Sequence, residues 1–387
     1  MEFNVSEIMF ALIRSEISGE QLSESVKKAI NADVLSKLYS LSKPQDITNI
    51  LASALLREEL LSEGDLKNAF SKEQMTAVFR YAQIRHELER MCRALDAAEI
   101  DYILLKGSVI RKYYPKPEMR TSCDIDIYVR ESDLASAEKV MTETLKYKFD
   151  LRTPHDVAYY SQSKTHVELH YDFIENNDKV QGVLSQVWEM SELDGIHKHG
   201  YIMNNEMFVT YHIIHMAKHF SHGGCGIRPF LDLSIAKNKM GYDKNRVLEL
   251  LGECELTRFG EEAMLLSDVW FGGGEHTDLT LGIERYILGS AIYGTVENAV
   301  VINRAKSGGR FGYIIKRLFM PYSLLKKIYP RLEKYPILFP FYQVKRWCRF
   351  IYRGRLSHAR EEIRLNTRQE TQEQKEMLDM LDSLGLK

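Results

Sequence analysis

The feature of this sequence that most constrains its fold is a change in the spacing of its apolar residues near position 100. Before that point apolar side chains recur at helical spacing, as at Leu51, Leu55 and Leu60. From Asp101 to Tyr171 short apolar or alternating runs are separated by turns, a pattern typical of strands. Helical spacing returns after position 205. The sequence therefore predicts an α+β chain, with a mixed α/β unit between two helical regions.

We divide the 387 residues into four segments, because one ordinary core is too small for that length. These are an N-terminal helical region (1–95), an α/β core (96–204), a helical domain (205–300) and a basic C-terminal helical region (301–387). In the α/β core we predict helices after Ser108, ending at Tyr114, and over 132–145. The predicted strands are 102–105, 124–129, 147–151, 157–161 and 166–171.

The five cysteines point to a reducing compartment. Their number is odd and none forms a C-x-x-C pair, so neither a disulfide framework nor a cysteine zinc site is expected. The first twenty residues lack the apolar run of a secretory signal, and no stretch is long and apolar enough to predict a membrane span. We therefore expect a cytoplasmic protein.

Charge is distributed unevenly along the chain. The segment from Arg304 to Arg360 holds fifteen Lys and Arg and one acid, a net charge of +14, while residues 1–303 sum to −13. Between 310 and 355 aromatic residues alternate with the basic ones. Such a segment is able to bind nucleic acid, a membrane surface or an anionic glycan. It is equally compatible with a packed helical region whose basic face is solvated or covers the acidic part of the molecule.

Two aspartates on one predicted strand are the first candidate site residues. Side chains alternate along a strand, so Asp124 and Asp126 point to one face while Ile125 and Ile127 point to the other. Two close carboxylates repel each other and raise each other's pKa unless a cation lies between them. Oxygen ligands of this kind select hard ions such as Mg²⁺. Alone, the pair is also common at solvated sheet edges.

Glu168 is the third candidate carboxylate. It lies in the alternating segment Val167-Glu168-Leu169, and a site for two metal ions needs further carboxylates from a neighbouring strand. The alternatives are a solvated strand residue, or a partner for His166 or His170. Taken together, the three acids favour a metal site.

Gly107 and Ser108 follow the first predicted strand. A glycine there lets the backbone approach a phosphate, and amides at the start of the next helix then face the anion. The Ser108 hydroxyl is able to donate to a phosphate oxygen, and Lys106 and Arg120 would add positive charge. The Walker A pattern is absent from the sequence.

A histidine-rich helix after position 205 supplies further candidates. His212, His215 and His219 fall on one helical face, but no nearby Cys or acid completes a zinc site. His215, Lys218 and His219 are candidate substrate contacts, or else the helix packs beneath the site. Arg228 is a candidate for phosphate or base contact, with an ion pair to Asp232 at i, i+4 as the other interpretation.

The order of these motifs resembles the nucleotidyltransferase superfamily with the polymerase-beta-like core. The residues that carry the resemblance are an apolar-Gly-Ser turn, an acid-x-acid strand and a third acid on a later strand. Two segments are similar to one bacterial family of uncharacterised nucleotidyltransferases. They are LLKGSVIRKYYPKPEMRTSCDIDIYV at 104–129 and HVELHY at 166–171. The resemblance covers roughly residues 20–270.

The resemblance implies a fold and an activity. Asp124, Asp126 and Glu168 would be catalytic and would hold two Mg²⁺ ions, with Mn²⁺ as an alternative. Gly107 and Ser108, with Lys106 and Arg120, would bind the triphosphate of an NTP, ATP foremost. Segment 205–300 would face substrate and nucleotide. The reaction would transfer a nucleoside monophosphate to a hydroxyl or phosphate acceptor on a small molecule, glycan or peptide, and would release pyrophosphate.

Two other functions stay open at this point. One is a catalytically silent regulatory module that binds a nucleotide. The other is a toxin-like enzyme that modifies RNA, for instance tRNA ends, which the basic segment would favour. Nucleic acid is a possible partner on this argument but is not the favoured one.

Overall fold

The computed structural model describes residues 3–173, 177–289, 295–352 and 356–386, with the backbone alone at 350–352 and 356–359. The N-terminal region is helical, as predicted. Asn4 caps the first helix, and its side chain accepts from the Glu7 amide at 2.8 Å. The last helix of the region is continuous over 33 residues. The helices are α1 Val5–Ser18, α2 Glu24–Ala29, α3 Ala32–Ser42, α4 Thr48–Arg57 and α5 Asp65–Ala97.

A mixed sheet of seven strands forms the centre of the described chain. Its order is β3-β4-β5-β2-β1-β7-β6, and the pairs β2·β5 and β1·β7 are parallel while the others are antiparallel. The α+β class is therefore confirmed. The strands are β1 Tyr102–Leu104, β2 Asp124–Val129, β3 Lys148–Arg152, β4 Asp156–Tyr160, β5 His166–His170, β6 Ser191–Leu193 and β7 Gly200–Met203.

Both helices predicted inside the α/β unit are present, but neither is a regular α-helix over its whole length. The helix after the Gly-Ser turn is only α6 Gly107–Ile110, and a 3-10 turn continues to Tyr113, because Pro115 follows closely. The helix expected over 132–145 is a 3-10 turn, then α7 Leu134–Lys139, then a π-helical turn Val140–Thr144. The strands β6 and β7 were not predicted. β6 is three residues long and largely exposed, and β7 has only four residues, too few to show a clear strand pattern.

The rest of the described chain is helical. After α8 Asp178–Leu184, twelve helices follow the sheet. They are α9 Asn205–Phe220, α10 Arg228–Ile235, α11 Lys244–Glu253, α12 Thr257–Gly272, α13 Asp278–Leu288, α14 Val296–Lys306, α15 Arg310–Leu318, α16 Tyr322–Ile328, α17 Arg331–Lys334, α18 Phe339–Tyr352, α19 Leu356–Thr367 and α20 Gln372–Ser383.

Buried apolar side chains of the described residues form two clusters. The large one has members from Ile8 to Ile302 and from Met377 to Leu386, and it includes the sheet and most helices. The small one consists of Leu325, Leu332 and Tyr342, with four partly buried neighbours. The middle of the basic C-terminal region, residues 320–342, thus has a small core of its own, whereas the two ends of that region pack into the large cluster. The boundaries predicted at 95 and 204 fall inside the large cluster and stay predictions.

The long helix α5 is fixed to the sheet region by one buried carboxylate. Glu87 is 2% exposed and accepts from the Tyr147 hydroxyl at 2.7 Å and from the Ser163 hydroxyl at 2.9 Å.

Within the residues that the structure describes, no helix has the length and apolar content needed to cross a membrane.

Candidate active site

The parallel pairing of β2 with β5 positions the candidate carboxylates. In this register Asp124 lies opposite His166 and Asp126 lies opposite Glu168. Because side chains alternate along both strands, these acids face one side of the sheet, and Ile125 and Ile127 are fully buried on the other. Two segments whose paired residues are 42 positions apart in sequence thus bring their acids together.

Asp126, Glu168 and His170 form a compact group. Each offers one ligand atom, and these atoms all lie within 4.8 Å of one another. Asp124 lines the same cleft but is not a member of this group. His170 was not among the predicted site residues. The alternation of the segment HVELH could have identified it, since His170 is two residues beyond Glu168 and shares its face.

Lys106 is the second neighbour of Asp126 that defines the site. Its Nζ lies 2.9 Å from Asp126 Oδ1, and His170 Nε2 lies 2.9 Å from the same oxygen. His170 Nε2 also lies 3.4 Å from Glu168 Oε2. The Leu105 amide donates to the Asp126 carbonyl at 3.3 Å, so the turn begins directly beside the acid. Asp126 therefore faces two cationic or hydrogen-bonding partners, Lys106 from the turn after β1 and His170 from β5.

The pKa values of the two aspartates are shifted in opposite directions. Burial raises the pKa of Asp124, and the adjacent Asp126 raises it further. Burial would also raise the pKa of Asp126, but the Lys106 charge and the His170 hydrogen bond hold it well below its usual range. Burial would likewise lower the pKa of His170, yet its bonds to Asp126 and Glu168 raise it to about 9. The Lys106 and His170 groups thus stabilise the ionised form of Asp126.

The backbone at Lys106 is in a conformation that side-chain-bearing residues rarely adopt. Its φ is +47° and its ψ is −120°, directly before α6. Such conformations persist where the surrounding structure holds them, often at functional sites. Here the conformation accompanies the contact between the Lys106 ammonium and Asp126.

The Gly-Ser turn lies in the cleft, but the expected arrangement of its amides was wrong. The Ser108 amide donates to the Leu105 carbonyl at 3.0 Å, and the Val109 amide donates to the Lys106 carbonyl at 3.1 Å. These amides therefore close a tight turn, because α6 starts at once and spans only four residues. A Cβ added at Gly107 would lie 3.3 Å from the Arg111 guanidinium. The glycine thus permits close packing of the turn against buried arginines.

The eleven residues assigned to the site from the sequence line one cleft of about 530 Å³. The Gly-Ser turn and the acids form one side, and the start of α10 and the histidine face of α9 contribute the rest. These eleven residues are Lys106, Gly107, Ser108, Arg120, Asp124, Asp126, Glu168, His215, Lys218, His219 and Arg228.

The histidines of α9 are neutral groups at this cleft. Burial lowers the pKa of His215 well below its ordinary value and lowers that of His219 to about 4, and the Lys106 charge adds to both effects. Their rings are 4.5 Å apart. His212 lines the same cleft, and its Nε2 lies 2.9 Å from the Pro229 carbonyl. In the described part of the chain these three histidines form no metal-ligating group of their own.

The ion pair predicted between Arg228 and Asp232 was wrong. Arg228 contacts Asp46 at 2.8 Å and the Thr121 carbonyl at 3.0 Å, while Asp232 is bound by Arg120, with Nη2 to Oδ2 at 2.8 Å. Arg228 is the first residue of α10, so its side chain is able to reach back toward the α3–α4 connection. The Arg120 guanidinium is thus engaged in a buried ion pair at the base of the cleft.

The cleft also contains residues that sequence reasoning missed. His155, Asp156 and Asp172 come from the β3–β4 connection, the start of β4 and the chain after β5. Burial lowers the pKa of His155 to about 4. Asp172 accepts a hydrogen bond from Lys327, which belongs to the basic C-terminal segment. No local motif marks these positions, since they meet only through the sheet order.

Comparison with known proteins decides the family. Residues 32–272 match a family described as uncharacterised nucleotidyltransferase, which is more than half of the chain. The chain belongs to this family. The resemblance drawn from residues 104–129 and 166–171 is thereby confirmed, and with it the assignment to an enzyme class. Every one of the eleven cleft residues lies within the matched range, whereas the basic segment lies outside it. No curated protein and no solved structure matches the chain.

Proposed function

We propose that this nucleotidyltransferase has a polymerase-beta-like core and moves a nucleoside monophosphate from an NTP to a hydroxyl or phosphate acceptor, with release of pyrophosphate and dependence on Mg²⁺. The single observation that carries the proposal is the in-register parallel pairing of β2 with β5, which sets Asp126 beside Glu168 in the cleft of the Gly-Ser turn. Family membership supports it independently.

The donor atoms of the site fit a divalent cation. Asp126 and Glu168 offer carboxylate oxygens, His170 adds a nitrogen in the same group, and Asp124 supplies a further carboxylate from the same face. Carboxylates suit Mg²⁺, and the imidazole also suits Mn²⁺. Two such ions would neutralise the triphosphate and polarise the reacting phosphoryl group when bound.

The remaining cleft residues would bind different parts of the NTP and the acceptor. Lys106 brings a positive charge beside the acids, and the Gly107-Ser108 turn offers a small, close-approach surface and a hydroxyl for the triphosphate. His215, Lys218 and His219 line the cleft from α9, and we assign to them contacts with the base, sugar or acceptor. We assign to Glu168 the role of accepting the proton of an acceptor hydroxyl, because its side chain is 24% exposed, whereas that of Asp126 is 5% exposed and contacts both Lys106 and His170 at 2.9 Å.

Transfer of label from an α-labelled NTP tests this function. Wild type is incubated with Mg²⁺ or Mn²⁺ and small-molecule, glycan, peptide and RNA acceptors, and is compared with Glu168→Gln and Asp124→Asn. We expect both variants to lose at least about a hundredfold in rate, since each removes a charge that acts mainly in the transition state. Glu192→Gln, an exposed change on β6, serves as the control and should retain activity. Equal transfer by wild type and Glu168→Gln would refute the proposal.

One observation favours a second candidate, a nucleotide-binding module without turnover. The Lys106 ammonium already contacts Asp126, in a position where it neutralises the acid without a metal ion. Such a module would bind an NTP with the same affinity with and without Mg²⁺, and would transfer no label to any acceptor. Calorimetric titration of the nucleotide in EDTA and in Mg²⁺ separates the two functions.

A further inference from the structure

Helix α15 presents its apolar side to solvent. Phe311, Ile314, Ile315 and Leu318 follow the spacing i, i+3, i+4 and i+7, so they form one stripe. They are 75%, 38%, 43% and 46% exposed, respectively, and the helix has no buried residue. A surface helix of a globular protein ordinarily turns such a stripe toward the core.

The polar side of α15 is the side that contacts the rest of the chain. The Tyr313 hydroxyl donates to Glu362 at 3.3 Å, and Arg317 forms a two-point ion pair with the same carboxylate at 2.8 and 2.9 Å. The side-chain amide Nδ2 of Asn366 donates to the Arg310 carbonyl at 3.2 Å. These bonds fix α15 to α19 and direct the apolar stripe outward.

The apolar surface continues onto the next helices. Trp347 of α18 donates to the Leu318 carbonyl at 2.8 Å and packs edge-on against Phe319, with ring centroids 5.7 Å apart. On α18 itself Phe341 and Val344 lie one turn apart and are 62% and 49% exposed. Within the described residues, ten of the twenty exposed large apolar side chains fall between 311 and 344, a concentration typical of an interaction surface.

Positive charge surrounds this surface. The +14 of residues 304–360 includes Arg310, Lys316 and Arg346 close to the apolar stripe, whereas residues 1–303 carry −13. Arg353 and Arg355 of the same segment lie outside the described residues. An amphipathic helix with basic and aromatic neighbours and an open apolar face is the arrangement that inserts at the boundary of an anionic bilayer.

We propose that α15 and the exposed face of α18 dock this chain onto membranes that contain anionic phospholipid. A nucleic acid would use the charges but leave the aliphatic stripe in water. A second copy of the chain would bring two segments of the same strong charge together. A lipid surface would contact both the apolar stripe and the positive charges, with the aliphatic side chains in the acyl boundary and the Lys and Arg side chains at the headgroups.

The docking surface is attached beside the candidate active site. Lys327 of α16 pairs with the cleft residue Asp172, and the Arg349 guanidinium donates to the Asp150 carbonyl of β3 at 3.1 Å. The cleft is therefore held next to the segment that would contact the bilayer. The docking proposal itself does not depend on the chemistry of the cleft, because vesicle binding is measured without nucleotide.

Vesicle flotation of the full chain tests the proposal. We expect binding to vesicles of phosphatidylcholine with phosphatidylglycerol, little binding to phosphatidylcholine alone, and weaker binding as salt is raised. Phe311→Ser/Ile315→Ser should weaken partitioning by at least about tenfold, since it removes two large apolar side chains from the acyl boundary. The matched control is Met75→Ser/Phe79→Ser on α5, which has the same spacing and exposures of 72% and 66%. It should bind like wild type.

Several outcomes would overturn the proposal. Absence of binding to the anionic vesicles is one, and equal loss in the two double variants is another. Light scattering that shows a dimer dissociated by Phe311→Ser/Ile315→Ser would assign the surface to a second copy instead. Salt-sensitive RNA binding that the same variant abolishes would assign it to nucleic acid. Both variants change exposed residues, so unchanged circular dichroism and melting temperature verify that each is folded.

Discussion

Replacement of Asp232 by Asn should destabilise the protein far more than its single lost charge suggests. Asp232 is 1% exposed and accepts from Arg120 Nε at 2.9 Å, from Arg120 Nη2 at 2.8 Å and from the Tyr114 hydroxyl at 2.7 Å. Asparagine keeps one acceptor oxygen but turns an amide donor toward a guanidinium donor, and the buried Arg120 charge loses its counter-ion. Breaking a buried pair in this way costs about 3–5 kcal/mol.

Urea unfolding of wild type, Asp232→Asn and Asp268→Asn measures this effect. Asp268 pairs with Lys237 at 2.7 Å, but both side chains are exposed, at 38% and 54%, so the control should lose no more than about 1 kcal/mol. Equal losses in the two variants would refute the reasoning that burial makes the Arg120–Asp232 pair costly to break.

The same pair predicts a dependence on pH. Burial alone would raise the pKa of Asp232, but the Arg120 charge outweighs it and lowers that pKa. A carboxylate with a lowered pKa stabilises the fold above its unfolded pKa of about 3.9, and this contribution is lost as pH falls through the folded value. The difference in unfolding free energy between wild type and Asp232→Asn should therefore be constant at neutral pH and shrink below about pH 4. A difference that grows in acid would contradict this sign.

Two further predictions concern the turn and the long helix. Gly107→Ala places a Cβ 3.3 Å from the Arg111 guanidinium, so we expect the KM for NTP to rise while the unfolding midpoint changes little. The control is Gly182→Ala, because Gly182 has open space around it, and equal KM values for the two variants would contradict the prediction. Glu87→Gln weakens the contacts of α5 with Tyr147 and Ser163 and should cost about 1–3 kcal/mol in urea unfolding, against no more than about 0.5 kcal/mol for the exposed Glu192→Gln.

The sequence was most informative where function depends on local spacing. Alternation in β2 and β5 predicted which acids share a face, and the Gly-Ser turn was located before β2. The cleft collects every candidate residue, because the motifs lie at the ends of neighbouring strands or on the helices beside them. These features follow from periods of two and 3.6 residues, which are visible in one chain.

The partners of the arginines could not be predicted in the same way. Arg120 and Asp232 are separated by 112 residues, so their pairing depends on how α10 packs, and the i, i+4 rule pointed to Arg228 instead. Lys106 acquires its contact with Asp126 through an unusual backbone conformation that its sequence does not signal. The orientation of α15 is a third case, since nothing in its sequence signals that the structure exposes its apolar side chains.

Anomalous diffraction from crystals soaked with Mn²⁺ and a non-hydrolysable NTP analogue tests the metal site directly. We expect a manganese peak within ligand distance, about 2.0–2.4 Å, of Asp126 and Glu168, with the triphosphate beside the Gly107-Ser108 turn. Nucleotide density in the cleft with the manganese peak elsewhere, or with Lys106 still in contact with Asp126 and no peak, would contradict the assignment of these carboxylates as the metal ligands.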